Sequence, residues 1–456
     1  MTDLTRRTAL ILAAATGPAA WAASTQAGVS VPARRVGPTR AGRGLPTTAS
    51  GDGVPADGAE GGTVGGAEGG TADGAEAGTT GPAGGSATWR RLPDVPANAT
   101  DWHDAIPVGE PYWTQLGLAG PIAGAHGDHL IVAGGANFPE PALTATRANT
   151  LGKVYWTDAF VYDRRARRWH DAGRLPDAVG YAATVSTRDG VLVIGGEGYR
   201  GGPGGTLQRP AEKFADVYVL RWDARRRRLD RTDLPPLPRP MSYAVAGVVD
   251  GVVYVAEGAD FVALELSRPE RGWTTLPRWP GDPRTVAVGT AQDGRFFLLS
   301  GRAQHPDASW TFYRDAYAYS PRQRRWERLA DLPWCVTAGL AHPVGRTGLV
   351  VVGGDKDIDR WNLIEHHVAL RNAAPPGSAE WQRQNDVVTW IYDHHTGFNG
   401  ELLRYDTRRD RWTTDGWFPG PPPATTPAVS WDGDLVVASG EVGPGIRTPR
   451  VWQAEF

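Results

Sequence analysis

The chain has 456 residues and a formal net charge of −2, so no global field draws it toward nucleic acid or a membrane surface. Glycine (59), proline (37) and tryptophan (19) are abundant, and lysine is nearly absent beside arginine. With short apolar runs, this composition points to an all-β, turn-rich repeat fold, which can exceed the usual size of a single core. The one cysteine, Cys335, excludes an intrachain disulfide and any multi-thiolate metal site.

Residues 1–23 read as an export signal. Arg6-Arg7 precedes an apolar stretch from Ala9 to Ala15, and Ala20-Trp21-Ala22 supplies small residues for cleavage. The arginine pair resembles a twin-arginine signal, which implies an exported protein, periplasmic or extracellular. The apolar run is shorter than the ~20 helical residues that cross a bilayer, so no membrane span is expected. Residues 24–87 are a different regime. A Gly/Ala/Thr-rich unit recurs at 57–63, 65–71 and 73–79, and such residues bury too little apolar area to offset chain entropy. A disordered tether is expected there.

From residue 88 onward an internal repeat sets the fold. Six short apolar runs end in glycine: Leu130–Gly135, Val191–Gly196, Val252–Gly258, Phe296–Gly301, Leu349–Gly354 and Leu435–Gly440. After five of them comes a large residue, six intervening positions, and a second large residue. These pairs are Tyr162/Trp169, Trp222/Leu229, Leu266/Trp273, Tyr319/Trp326 and Tyr405/Trp412. The spacing reads as a strand, a polar turn and a returning strand that packs between neighbouring units. The sixth unit lacks its second half, whereas Trp89-Arg90-Arg91-Leu92-Pro93 looks like a strand with its exit. Residues 88–93 are therefore expected to pair with 450–456 and to join the two ends of the folded region, leaving only short sheet edges.

This organisation resembles the kelch repeat and implies a six-bladed β-propeller over 88–456. Loops that follow the glycine strands then share one face with the loops between blades, and the Tyr-to-Trp turns occupy the other. The arginine runs at 164–168, 225–228, 322–325 and 408–411 all fall in those turns beside acids such as Asp163, Asp223 and Asp406. They read as solvated turns, and without interleaved aromatics to stack on bases no nucleic-acid partner is expected. The pairs His366-His367 and His394-His395 lie in a long insertion from Asp355 to about Gly397. Adjacent histidines on a strand would point to opposite faces, so they read as loop histidines and no metal is assigned. Some kelch propellers are copper-radical oxidases with a tyrosine crosslinked to cysteine. Here Cys335 follows Trp334 between units and no Tyr-His pair exists, so it reads as a buried structural thiol.

The most informative segment is Gly440-Glu441-Val442-Gly443-Pro444-Gly445-Ile446-Arg447-Thr448. Its glycines and proline impose a tight turn that lets Glu441 and Arg447 point into a common space. An acid beside a guanidinium can serve as a base and an anion clamp, or can be a plain loop ion pair. Together with Ala133-Gly134-Gly135-Ala136-Asn137-Phe138-Pro139 and Gly117-Leu118-Ala119-Gly120, this segment resembles the N-acetylneuraminate epimerases. In that family the Gly-Glu loop precedes the Ala-Gly-Gly blade, whereas here it ends the chain. The order is similar to that of a circularly permuted branch.

The resemblance implies a mutarotase acting on a free acidic sugar, with Glu441 as proton acceptor, Arg447 required for activity, and neither metal nor redox cofactor. Asn137, Glu197 and Arg302 follow other glycine strands on the same face and are expected to bind sugar hydroxyls. A non-catalytic propeller that recognises a glycan or protein is the alternative, because one fold hosts many functions.

Overall fold

The computed structural model describes residues 87–98, 117–138, 153–205, 210–307 and 309–456; the expected export signal, nearly all of the expected tether, and Pro139 lie outside them. Within these residues each glycine-ended apolar run is the second strand of a four-stranded antiparallel sheet, and six such sheets form. The runs lack polar alternation because each sheet is covered on both sides; every residue of Gly190–Ile194 and Gly348–Val352 is buried. Apolar clusters fill the gaps between consecutive sheets. One of them joins the last sheet to the first, uniting Val429, Trp431 and Val436 with Leu130, Val132 and Tyr162. Thr88–Leu92 pairs antiparallel with Val451–Glu455, with Leu92 opposite Val451, so the fourth strand of the last sheet comes from the other end of the described chain. The chain is a β-propeller.

The spaced aromatic pairs have a simple geometric meaning. Tyr162 faces Trp169, Trp222 faces Leu229, Tyr319 faces Trp326 and Tyr405 faces Trp412 across adjacent strands. The turns between them are closed by the acids that precede the arginines. Asp163, Asp223 and Asp406 each accept two backbone N–H groups through Oδ1, at 2.8–3.1 Å; the arginine side chains that follow are exposed, apart from Arg164, whose guanidinium lies 3.9 Å over the Trp431 ring. Outer tryptophans also tie four of the six sheets to the preceding one; Trp412, for instance, donates to the Ala330 carbonyl at 2.9 Å. The indoles of Trp169, Trp273 and Trp326 donate to the carbonyls of Pro93, Pro235 and Pro277 at 2.9–3.0 Å. The pair Leu266/Trp273 departs from the expected register. Pro269–Arg271 forms a 3-10 turn, so Ala263 sits opposite Thr274 and the two large residues are offset, although both pack into one cluster.

The innermost strands are Ile122–His126, Ala183–Thr187, Val245–Val249, Val288–Gln292, Leu340–Val344 and Ala428–Trp431. The last five line an axial channel of about 300 Å³. Just before each strand stands one residue in the left-handed region: Gly120 (φ 57°), Tyr181 (56°), Tyr243 (58°), Val286 (45°), Ala338 (55°) and Thr425 (54°). Such a conformation costs a non-glycine residue on the order of 1 kcal/mol or more, and a mutual hydrogen-bond belt offsets it. The N–H groups of Tyr181, Tyr243, Ala338 and Thr425 donate to the carbonyls of Gly120, Tyr181, Val286 and Ala338, at 2.7–2.9 Å. The Gly120 N–H donates to the Thr425 carbonyl, which links the last sheet to the first. Glycine suits position 120 because a Cβ there would lie 2.4 Å from the Tyr181 ring.

The long insertion is not a loop. It folds as two helices, α1 (Ile358–Ala373) and α2 (Ala379–Asp393), started by side-chain caps from Asp357 and Ser378. Ile364 and Val368 of α1 pack on Val388 and Ile391 of α2. The reading of the histidine pairs as strand or loop residues is thereby corrected. His366-His367 lies within α1 and His394-His395 at the end of α2, where His367 Nδ1 meets Gln384 Oε1 at 2.7 Å and His394 Nδ1 meets the Trp390 carbonyl at 2.8 Å. Cys335 is buried, its thiol 3.2 Å from the Lys356 carbonyl, and burial pushes its pKa up to about 11.

Candidate active site

Glycine strands end where the chain turns toward the axis, and the residue just after the glycine occupies an equivalent place in sheet after sheet. Ala136, Glu197, Arg302, Asp355 and Glu441 pair respectively with Ala119, Gly180, Thr285, Thr337 and Ala424, each directly before the left-handed belt. Four of these five are ionisable, and all four are buried at one end of the channel. Burying charge is costly unless it is paired or used, so this tier is where function is to be sought. Asn137 lies one residue beyond it. Its Oδ1 accepts from the Trp156 indole at 2.8 Å and its Nδ2 donates to the Gly117 carbonyl at 3.2 Å, so much of its amide is spent on holding the protein.

The Gly440–Thr448 segment forms a small hairpin in which Glu441 stands opposite Arg447. Gly445, with φ 74°, closes the turn and donates its N–H to Glu441 Oε1 at 2.9 Å. The same oxygen lies 3.4 Å from Arg447 Nη1, and the Thr425 hydroxyl is 3.5 Å from the other. Glu441 is 1% exposed and the Arg447 side chain 4%. Burial raises the Glu441 pKa above the ordinary carboxylate value, while Arg447 and the Gly445 N–H pull it back. The Arg447 guanidinium lies 4.6 Å over the Phe138 ring. Among the described residues, neither its Nε nor its Nη1 has a hydrogen-bond acceptor, despite burial. The chain folds this way locally because Gly117-Leu118 clasps the hairpin. The Leu118 carbonyl accepts from the Gly440 N–H at 2.8 Å, and a Cβ on Gly117 would meet the Thr448 carbonyl carbon at 2.2 Å.

Glu197 accepts from the Tyr155 hydroxyl at 2.6 Å and the Ser242 hydroxyl at 3.0 Å, and lies 3.8 Å from Lys153 Nζ. Both of its oxygens are thus engaged within the protein. Arg302 is held between Trp310 and Trp361, 4.3 and 4.2 Å from their ring centres, and burial lowers its pKa to about 10. It shares a small cavity with Tyr243, Thr337, Asp355, Phe398 and Thr425. Burial also raises the pKa of Asp355, whose Oδ1 accepts from the Asp357 N–H at 3.0 Å.

The hairpin thus brings Glu441 and Arg447 together as the spacing suggests, and Arg302 and Glu197 stand in the same tier. Sequence reasoning missed Asp355, Lys153, Tyr181, Tyr243 and Thr425 as members of the site. For Asp355 a signal existed, since it follows Gly354 as Glu441 follows Gly440.

A family model described as N-acetylneuraminate epimerase matches residues 75–226 and 234–456. The chain belongs to the N-acetylneuraminate epimerase family. It is 25% identical over 227 residues to N-acetylneuraminate epimerase 1 of Escherichia coli O6:H1 (strain CFT073), a match spanning 49% of this chain and 60% of that protein. It is 29% identical over 231 residues to the N-acetylneuraminate epimerase of Yersinia enterocolitica, spanning 48% and 57%. With the Haemophilus influenzae family member it shares 26% identity over 234 residues, spanning 49% and 59%. The matches cover less than two thirds of these curated relatives. Among solved structures, one titled "Structure of YjhT" superposes with a TM-score of 0.50 at 13% identity, covering 75% of this chain and 96% of the other, and so shares the fold.

Proposed function

We propose that the protein equilibrates the anomers of a free acidic sugar, N-acetylneuraminate in the first instance. The observation that carries this is the buried guanidinium of Arg447, whose Nε meets no acceptor among the described residues and whose Nη1 lies 3.4 Å from an equally buried carboxylate. A guanidinium so placed can take a sugar carboxylate through two parallel hydrogen bonds and set the adjoining anomeric carbon beside Glu441. Glu441 then accepts the anomeric hydroxyl proton. The O–H pair becomes the carbonyl, the ring C–O bond breaks, the carbonyl face turns, and the ring recloses on the other side. Arg302 and Asp355 face the neighbouring cavity and are assigned to sugar hydroxyls. Glu197 is assigned to holding Lys153, and Asn137 to fixing Gly117 under the hairpin. The names of the family's curated members support the same substrate class. The Arg6-Arg7 segment supports export, which loss of the exported form in an Arg6→Lys, Arg7→Lys double variant would check.

Glu441→Gln keeps size and hydrogen-bonding reach but removes the basic carboxylate. Anomer exchange, followed by NMR exchange spectroscopy, is expected to fall by roughly two to four orders of magnitude, the usual scale for a general base. Calorimetric affinity for N-acetylneuraminate is expected to survive. Exchange at the wild-type rate in Glu441→Gln removes the assigned base. A wild type that binds the sugar without accelerating exchange is a binding module instead.

A further inference from the structure

Two protons move whenever the sugar ring opens. One leaves the anomeric hydroxyl and one arrives at the ring oxygen, and Glu441 accounts for the first only. The second needs a donor on the same cavity. Tyr243 is a member of the left-handed belt, and it lines both the axial channel and the smaller cavity that holds Arg302, Asp355 and Thr425. Thr425 lines both cavities as well, and its hydroxyl lies 3.5 Å from Glu441, so one side chain stands between the phenol's cavities and the base.

Beside Tyr243 stands a column of polar groups. Its ring stacks on that of Tyr181, with centroids 4.3 Å apart and planes 23° from parallel. Lys153 Nζ donates to the Tyr181 hydroxyl at 3.3 Å, and Glu197 holds the ammonium from 3.8 Å. The belt positions of the other sheets carry Gly120, Val286, Ala338 and Thr425, so a stacked phenol pair is not something the belt itself requires.

We propose, on the mutarotase reading above, that Tyr243 is the acid partner of Glu441, donating its hydroxyl proton to the ring oxygen while Lys153 replaces that proton through Tyr181. The step balances. The breaking C–O bond leaves its electron pair on the ring oxygen, which takes the Tyr243 proton. Tyr243 takes the Tyr181 proton, and Tyr181 takes one from the Lys153 ammonium. Glu441 ends as the neutral acid and Lys153 as the neutral amine, and closure on the opposite face reverses each transfer. Burial, the nearby Glu197 and Glu441 carboxylates and a hydrogen bond with Tyr181 hold the Tyr243 phenol far above its ordinary pKa, so it is present as a donor at neutral pH.

Tyr243→Phe keeps the ring stack and deletes the donor. With the full chain and N-acetylneuraminate, exchange at saturating sugar is expected to fall about 100-fold, within the usual range for a general acid, with calorimetric affinity unchanged. Tyr181→Phe cuts the link to Lys153 and is expected to give a smaller loss, about tenfold, again without loss of affinity. Wild-type exchange in Tyr243→Phe overturns the assignment, and so does a loss of exchange fully matched by a loss of binding. If Tyr243→Phe fails to unfold cooperatively, Tyr181→Phe decides: a slowed exchange at intact affinity supports the relay, and a wild-type rate overturns it. Failure of the mutarotase reading shows itself separately, as a wild type that accelerates no anomer exchange.

Discussion

Glu441 is kept from water on every side, and this disfavours its ionised form; Arg447 and the Gly445 N–H counter that cost. The carboxylate is the form that accepts a proton, so activity rises with pH as Glu441 ionises. Its acid limb is expected above the ordinary glutamate range near ~4.3. Arg447→Gln removes a charge that lowers the Glu441 pKa. The limb should then move to higher pH, beyond any loss of affinity for an acidic sugar. Exchange rates at saturating sugar, recorded from acid to neutral pH, check this; a limb that stays put or moves down overturns the coupling. The Glu441–Arg447 pair was legible in the sequence because a seven-residue hairpin is local, and Gly443, Pro444 and Gly445 announce its turn. Lys153, Tyr181 and Tyr243 were not, because the contacts that gather them join positions far apart along the chain. Asn137 shows the limit of reading by offset, since one residue further along the strand its side chain serves the scaffold.

The helical insertion illustrates a different limit. Its residues are polar enough to pass for a loop, and the all-β repeat on either side sets no expectation of helix. The signals were nonetheless there. Trp361, Ile364, Val368 and Arg371 recur at helical spacing and are buried together, and Pro375-Pro376-Gly377 followed by Ser378 marks a break and a new cap. The spaced aromatic pairs were legible because seven positions across a tight turn place them face to face, and Pro269 accounts for the one offset pair. Helix α1 also carries Glu365, which burial pushes up to about 7 although Arg302 and Arg371 oppose it, and whose Oε1 has no hydrogen-bond partner among the described residues. A folded-state pKa above the unfolded value near ~4.3 means that stability is fully present below the unfolded value and is lost as pH rises toward the folded one. Glu365→Gln removes that loss. The melting temperature of Glu365→Gln is expected to exceed the wild type at pH 8 and to converge on it toward pH 5. Parallel melting curves at both values would show instead that Glu365 stays ionised in the folded protein.

At the scale of the molecule, the fold was legible because one repeat recurs six times, and a half-unit at residue 88 answers the half-unit missing at the end. The curated relatives align with 48–49% of this chain. Joining the ends also gives a mechanical prediction. Val451–Glu455 lies between Asp434–Ala438 and Thr88–Leu92, so it hydrogen-bonds a strand on each side. Val451 belongs to the cluster against the first sheet, and Ala454 to the cluster against the fifth. Deleting 450–456 therefore unpairs two strands, opens two cores and leaves Thr88–Leu92 without a partner. At ~2–4 °C per kcal/mol for a domain of a few hundred residues, the loss of several such contributions should lower Tm by about 10 °C or more. Deleting 24–86, whose composition offers little apolar area to bury, should leave Tm nearly unchanged. Calorimetry on both truncations alongside the full chain decides the matter. A chain lacking 450–456 that melts with the full-length protein would mean that pairing of the two ends contributes nothing to holding the sheets together.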